Sequence, residues 1–246
     1  MTSVDDELFV LLWRDDNQVA VYSINDYQLL RHLNVPGFKP YGYSDMTSCV
    51  RYKCLYASDC DNSCVHRYVL ASKASNKWPV SGKPCGLSVT PSCNLLVMCH
   101  GEPNKLVELS VGSGESVREI ALQSEIIWPR HGVQLTTGQF VICHGDNLNR
   151  VCVVGDDGEV TDRYGGKSGS DVGQLDSPCH LAVDEDSQFI YVADAGNNRV
   201  VLLSPTLEFV RYVIVGLELP QRLYFHRATR RLSIGEWVGD VVVLQL

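Results

Sequence analysis

No apolar run in the 246 residues approaches the roughly eighteen that a membrane-spanning helix needs. The opening stretch MTSVDDELFVLLWRDD carries acidic residues where a secretory signal would carry basic ones. Asn-x-Ser/Thr sequons are missing, and so are HExxH, a Gly-rich phosphate loop and a Ser-centred nucleophile elbow. Together these absences lead us to expect a soluble, cytoplasmic chain with no membrane association and no catalytic motif. Basic residues are the minority charge. The formal net charge of −8 argues against a uniformly basic surface made to hold a phosphate backbone, although a local basic patch is compatible with it.

The ten cysteines lack a CxxC knuckle. Cys49, Cys54, Cys60 and Cys64 are spaced five, six and four residues apart, which is not the pattern of a zinc ribbon. Cys60 and Cys64 flank one turn and could approach each other, whereas Cys93, Cys99, Cys143 and Cys152 lie in apolar segments and read as small hydrophobes.

What is present is repetition. IYVADAGNNRVVLLS at 190–204 is a strand, a polar turn and a strand, and FVLLWRDDNQVAVYS, LYASDCDNSCVHRYV, LLVMCHGEPNKLVEL, FVICHGDNLNRVCVV and LSIGEWVGDVVVLQL are weaker copies. The last turn residues fall at Gln18, Cys64, Lys105, Arg150, Arg199 and Asp240, giving steps of 46, 41, 45, 49 and 41 residues. A period in that range, built from short β-branched segments bounded by Gly, Asn, Asp or Pro, predicts a six-bladed all-β propeller with four antiparallel strands per blade. Segments such as VVLL at 200–203 do not alternate, so both faces of those strands must be covered by neighbouring blades. Six repeats consume the chain as a single domain, 1–246, with blade cores near 8–35, 40–71, 84–122, 129–164, 178–215 and 220–246. On this count the first blade lacks its innermost strand and the last its outermost. The expectation is a fragment of a longer protein.

The fifth repeat, from Gly169 to Val210, resembles the NHL repeat. The matching positions are Gly173-Gln174, Pro178, Ala182-Val183-Asp184, Tyr191-Val192-Ala193-Asp194 and Gly196-Asn197-Asn198-Arg199. The other copies match in outline only, with Asp194 replaced by His144 and His100, and Arg199 kept as Arg150 and, in charge alone, as Lys105. Read physically, Asp194, Gly196, Asn197 and Arg199 are structural. The carboxylate can accept turn amides, Gly196 can take a positive φ, Asn197 and Asn198 tolerate the left-handed region, and Arg199 can pack its stem between blades and bond carbonyls at its tip.

Function is expected at the lead-ins to the innermost strands, which are marked by proline: Pro40-Tyr41, Pro84-Cys85, Pro129-Arg130-His131, Pro178-Cys179-His180 and Pro220-Gln221-Arg222. Equivalent positions in a ring converge, gathering Tyr41, Lys83, Trp128, Arg130, His131, His180 and Arg222 as partner-binding candidates. Such a set suits a protein or peptide partner held by arginine and aromatic contacts. The run Arg222 to Arg231 reads as a solvated turn.

The resemblance implies a non-catalytic recognition platform, as in the carboxy-terminal domain of tripartite-motif (TRIM-NHL) ubiquitin ligases, whose RING region would lie upstream. It also implies a first alternative, an RNA-binding NHL ring. A second alternative is a zinc-dependent lyase resembling the peptidyl-amidoglycolate lyases. His131 and His180 occupy comparable positions there, but the further ligand positions hold Gly42, Gly86 and Arg222, so no metal and no cofactor are expected.

Overall fold

The structure, a computed structural model, describes residues 1–12, 18–39, 44–145 and 148–246. It divides into two compact units, one formed by Met1–Gly101 with Val107–Glu119, the other by Glu102–Leu106 with Ile120–Leu246. Every sheet is an antiparallel meander in chain order.

The first sheet contains β1 (Thr2–Val4), β2 (Glu7–Leu11), β3 (Gln18–Ser23) and β4 (Leu29–Asn34). The second contains β5 (Met46–Cys49), β6 (Cys54–Asp59), β7 (Cys64–Val69) and β8 (Ser75–Pro79). The third is β9 (Lys83–Val89), β10 (Asn94–His100), β11 (Lys105–Ser110) and β12 (Ser116–Ala121). The fourth is β13 (Pro129–Gln134), β14 (Phe140–His144), β15 (Arg150–Val154) and β16 (Val160–Gly165). The fifth is β17 (Pro178–Val183), β18 (Ile190–Asp194), β19 (Arg199–Leu203) and β20 (Phe209–Val215). The sixth has three strands, β21 (Pro220–His226), β22 (Arg231–Glu236) and β23 (Val241–Gln245).

The expectation that the first blade lacks its innermost strand is overturned. Thr2 pairs with Phe9, Ser3 with Leu8 and Val4 with Glu7. Asp5 and Asp6, two of the acidic residues that argue against a secretory signal, make the two-residue turn, with Asp5 in the left-handed region at φ 53°. Among the described residues the last blade has three strands, as expected.

Burial explains why the middle strands do not alternate. In β19, Val201 and Leu203 enter a core shared with Val133, Val141 and Val151 of the fourth sheet. Val200 and Leu202, on the opposite face, enter a core shared with Leu223, Leu232 and Ile234 of the sixth. Each strand therefore needs apolar residues at consecutive positions, because each face meets a different blade. The first unit repeats the device in β6: Cys54 and Tyr56 join the core of the second and third sheets, while Leu55 and Ala57 join that of the first and second. Burying one such Val or Leu is worth about 1.5–3 kcal/mol.

Candidate partner-binding face

In the second unit, three successive innermost strands begin alike. Pro129, Pro178 and Pro220 pair with His144, Asp194 and Glu236, the last residues of the adjoining second strands. The register then slips by one, so that His131, His180 and Arg222 pair with Cys143, Ala193 and Gly235. Arg130, Cys179 and Gln221 are the extra residues of three equivalent bulges. Proline suits the first position because it has no N–H to give the ladder, and the bulge re-aims the side chains that follow.

Immediately before each proline stands a residue in the left-handed region: Trp128 at φ 49°, Ser177 at φ 51° and Leu219 at φ 50°. That conformation is strained for bulky side chains, and two of the three are bulky. Trp128 is 52% exposed and Leu219 42% exposed, with Ile127 beside the first. Trp237 and Val238, in the turn after β22, are exposed as well, and the Trp237 N–H donates to the carbonyls of Glu218 (3.2 Å) and Leu219 (3.1 Å). These lead-ins and that turn lie at the same end of their blades, since the start of a first strand pairs with the end of a second. Arg130 and Arg222 are half-buried just behind them, and an Arg222 Nη1 donates to the Gln221 carbonyl at 2.8 Å.

His131 and His180 are buried rather than presented. Their rings stack with centroids 3.8 Å apart at 23°. The Leu223 N–H donates to His180 Nδ1 at 3.3 Å, so that nitrogen is unprotonated and a neutral His180 carries its hydrogen on Nε2. Lys83 belongs to the first unit, where it opens β9 exposed and opposite His100. Tyr41 lies outside the described residues.

The fifth-blade motif forms a buried lock. Asp194 Oδ1 accepts the Asp176 N–H at 2.7 Å, and Oδ2 accepts Asn197 Nδ2 (2.8 Å) and Arg199 Nε (2.7 Å). Burial pushes the Asp194 carboxyl above its ordinary range, against the pull of those three donors. The Arg199 tip reaches the Ser170 and Gln174 carbonyls at 2.6 and 3.1 Å, and its guanidinium lies 4.4 Å from the Tyr212 ring centroid. Gly196 does not take the positive φ expected of it. It sits in a 3-10 turn, Ala195–Asn197, and the left-handed residue is Asn198 at φ 54°. A Cβ there would stand 2.5 Å from the Asp176 carboxyl carbon, so a larger residue would have to displace the Asp176 side chain.

The second blade builds a variant of this lock. Asn62 donates to both Asp59 oxygens, and His66 Nε2 lies 2.9 Å from Asp59 Oδ2. Burial raises the Asp59 pKa, but the hydrogen bonds from His66 and Asn62 prevail and hold it below 3.8. The donor atoms of Asp59, Cys64 and His66 lie within 4.8 Å of one another, and this buried set could hold a metal ion. All ten cysteines are free thiols, and burial pushes Cys85, Cys143 and Cys152 up, the last to about 12, so these three are protonated packing groups rather than nucleophiles.

No protein-family model and no curated protein matches the chain. Solved structures do. A protein of unknown function from Bacteroides caccae is 13% identical with a TM-score of 0.74, over 98% of this chain and 90% of that one. Hydrazine synthase from Kuenenia stuttgartiensis is 16% identical with a TM-score of 0.73, over 100% and 82%. Virginiamycin B lyase from Staphylococcus aureus is 11% identical with a TM-score of 0.68, over 99% and 83%. The fold is a β-propeller. At these identities the likeness establishes architecture alone, and neighbours with an enzyme's name do not make this propeller an enzyme. Sequence reasoning named Trp128 but missed Leu219, which stands at the same place before the third of these prolines, and the exposed Trp237-Val238 turn beside it.

Proposed function

We propose that the chain is a non-catalytic recognition propeller that seats a protein or peptide partner against Trp128, Leu219 and the Trp237–Val238 turn, with Arg130 and Arg222 behind them to meet carboxylates. The observation that carries this reading is Trp128, a bulky residue held in the left-handed region and left half in water. Neither the strain, of order 1–3 kcal/mol, nor the exposure contributes to folding. Tryptophan and arginine are also the residues that most often anchor interfaces. The resemblance of the fifth blade to the NHL repeat supports extending this reading to target recognition within a cytoplasmic, tripartite-motif type of ubiquitin ligase.

Affinity capture followed by quantitative mass spectrometry, comparing the native chain with Trp128→Ala/Leu219→Ala, tests the proposal. The reading requires a specific set of captured proteins to be lost from the variant while its melting temperature stays within a degree or two. An unchanged set would sink it. Retention of RNA with a steep salt dependence would reassign the face to nucleic acid.

A further inference from the structure

The turns after β6 and β18 are built alike except at one position. Asp59 and Asp194 end the two strands, Asn62 and Asn197 stand three residues on and donate to those carboxylates, and the residue opposite each aspartate opens the next strand. In the fifth blade that residue is Arg199, whose Nε donates to Asp194 at 2.7 Å and cancels its charge. In the second blade it is Cys64, so a thiol stands where the guanidinium would. The Asp59 carboxylate is nevertheless buried, at 2% exposure, and its partner is His66, with Nε2 2.9 Å from Oδ2.

The three side chains converge. Ligand atoms of Asp59, Cys64 and His66 lie within 4.8 Å of one another, and all three residues are buried. A tetrahedral zinc ion holds such atoms about 3.3–3.6 Å apart, so side-chain shifts of about an ångström close the set. A carboxylate, a thiol and an imidazole make the mixed oxygen, sulfur and nitrogen set that zinc accepts, whereas calcium and magnesium take oxygen. The imidazole also has capacity to spare. The ionised Asp59 can only accept, so Nε2 carries the hydrogen between the two, and Nδ1 is a fully buried nitrogen without a hydrogen-bond partner. Asn62, bonded to both Asp59 oxygens, is the kind of outer partner that orients a ligating carboxylate, and Phe38 walls one side with its ring 5.2 Å from that of His66. Asp61 and Asn62, in the turn that covers the trio, are exposed and give an ion a short way in.

We infer that Asp59, Cys64 and His66 form a zinc site in the second blade, with three protein ligands and the fourth position left to solvent. The ion takes the part that the Arg199 guanidinium plays in the fifth blade. As the zinc–sulfur bond forms, the Cys64 thiol proton leaves to solvent. One carboxylate, one thiolate and a divalent ion then sum to zero charge, as Asp194 and Arg199 do. The ion joins the end of β6 to the start of β7 and holds the turn between them.

The site is independent of the recognition proposed around Trp128, and its variants leave that residue untouched. The full chain, stripped of metal by a chelator under reducing conditions, is titrated with zinc against a chromophoric chelator and then with cobalt as an optical stand-in. One equivalent of zinc should bind, release a proton and raise the melting temperature, and cobalt should show a thiolate charge-transfer band. Cys64→Ala should abolish that band and weaken zinc binding at least about a hundredfold, and Asn62→Ala, which acts only through the carboxylate, should weaken it about tenfold. If Cys64→Ala melts early, Cys64→Val, a good strand former of similar size, serves in its place. Cys60→Ser/Cys93→Ser, which removes an exposed thiol and the half-exposed one of the same turn, should keep the ion. The inference is overturned if zinc at micromolar concentration does not bind, if the Cys64 variants bind it as well as the native chain, or if it is lost with Cys60 and Cys93 instead.

Discussion

Acidification should expose a specific weakness at His144. This side chain is fully buried at the end of β14, with Cys152 Sγ 3.4 Å from its Nε2, and it stands where the fifth blade has Asp194. Burial, reinforced by the nearby positive charge of Arg150, lowers its pKa from 6.5 to about 4. The folded state thus refuses a proton that the unfolded chain accepts below 6.5. The stabilisation is complete above that pH and drains away as pH falls toward 4. A tenfold difference in proton affinity between the two states is worth about 1.4 kcal/mol, so the full window carries about 3 kcal/mol, of which roughly 2 kcal/mol is lost by pH 5. Urea unfolding of the native chain and of His144→Gln, followed from pH 7.5 to 5, isolates the effect by difference. The variant should be less stable at pH 7.5 and lose about 2 kcal/mol less on acidification. Asp59 does not intrude, since its carboxyl titrates only below 3.8. Parallel curves for the two proteins would refute the argument.

Two further outcomes follow from the packing. Asp194→Ala strands the buried Arg199 guanidinium and uncaps Asp176 and Asn197, so it should cost about 3–5 kcal/mol, and adding Arg199→Met should restore part of the loss. A single-variant loss under about 1 kcal/mol in urea unfolding would contradict the lock described for the motif. Gly114→Ala places a Cβ 2.3 Å from the Trp78 ring at φ +78°, whereas Gly138→Ala, at φ +91°, meets nothing within 4 Å. Thermal melts should rank Gly114→Ala as clearly the more damaging, and equal losses would mean that conformation alone sets the cost.

Much of the scaffold was legible because a propeller writes the same sentence repeatedly. Period, strand type and two-sided burial all follow from residues such as Val200 to Leu203, which must satisfy a different blade on each face. The elements that escaped are those with little to bury. β1 is three residues with two hydroxyls, although all three are buried, and β8, Ser-Asn-Lys-Trp-Pro, buries only Trp78. The site was legible in its residue types and not in its geometry. His131 and His180 sit at equivalent positions as read, yet a one-residue bulge turns them inward to stack, while the strained residue ahead of each proline is Trp, Ser or Leu, two apolar side chains and a hydroxyl that spell no common letter.

The turn that closes each second strand shows how such a chain keeps its fold while its sequence drifts. Asp194, Asp59 and His144 each stand opposite the first residue of the third strand: Arg199, Cys64 and Arg150 respectively. A polar group buried there needs a partner, and three blades supply one by different means, although Nδ1 of His66 and of His144 is left without a hydrogen bond. The fifth pairs a carboxylate with Arg199. The second has a cysteine at that place and recruits His66 from two positions further along the strand. The fourth replaces the carboxylate by a neutral imidazole against a thiol, which frees Arg150 to pair with Glu125 at 3.1 Å. Each solution preserves the turn and erases one letter of the repeat. A motif read letter by letter therefore survives in a single blade, whereas the physical requirement it serves is met in at least three.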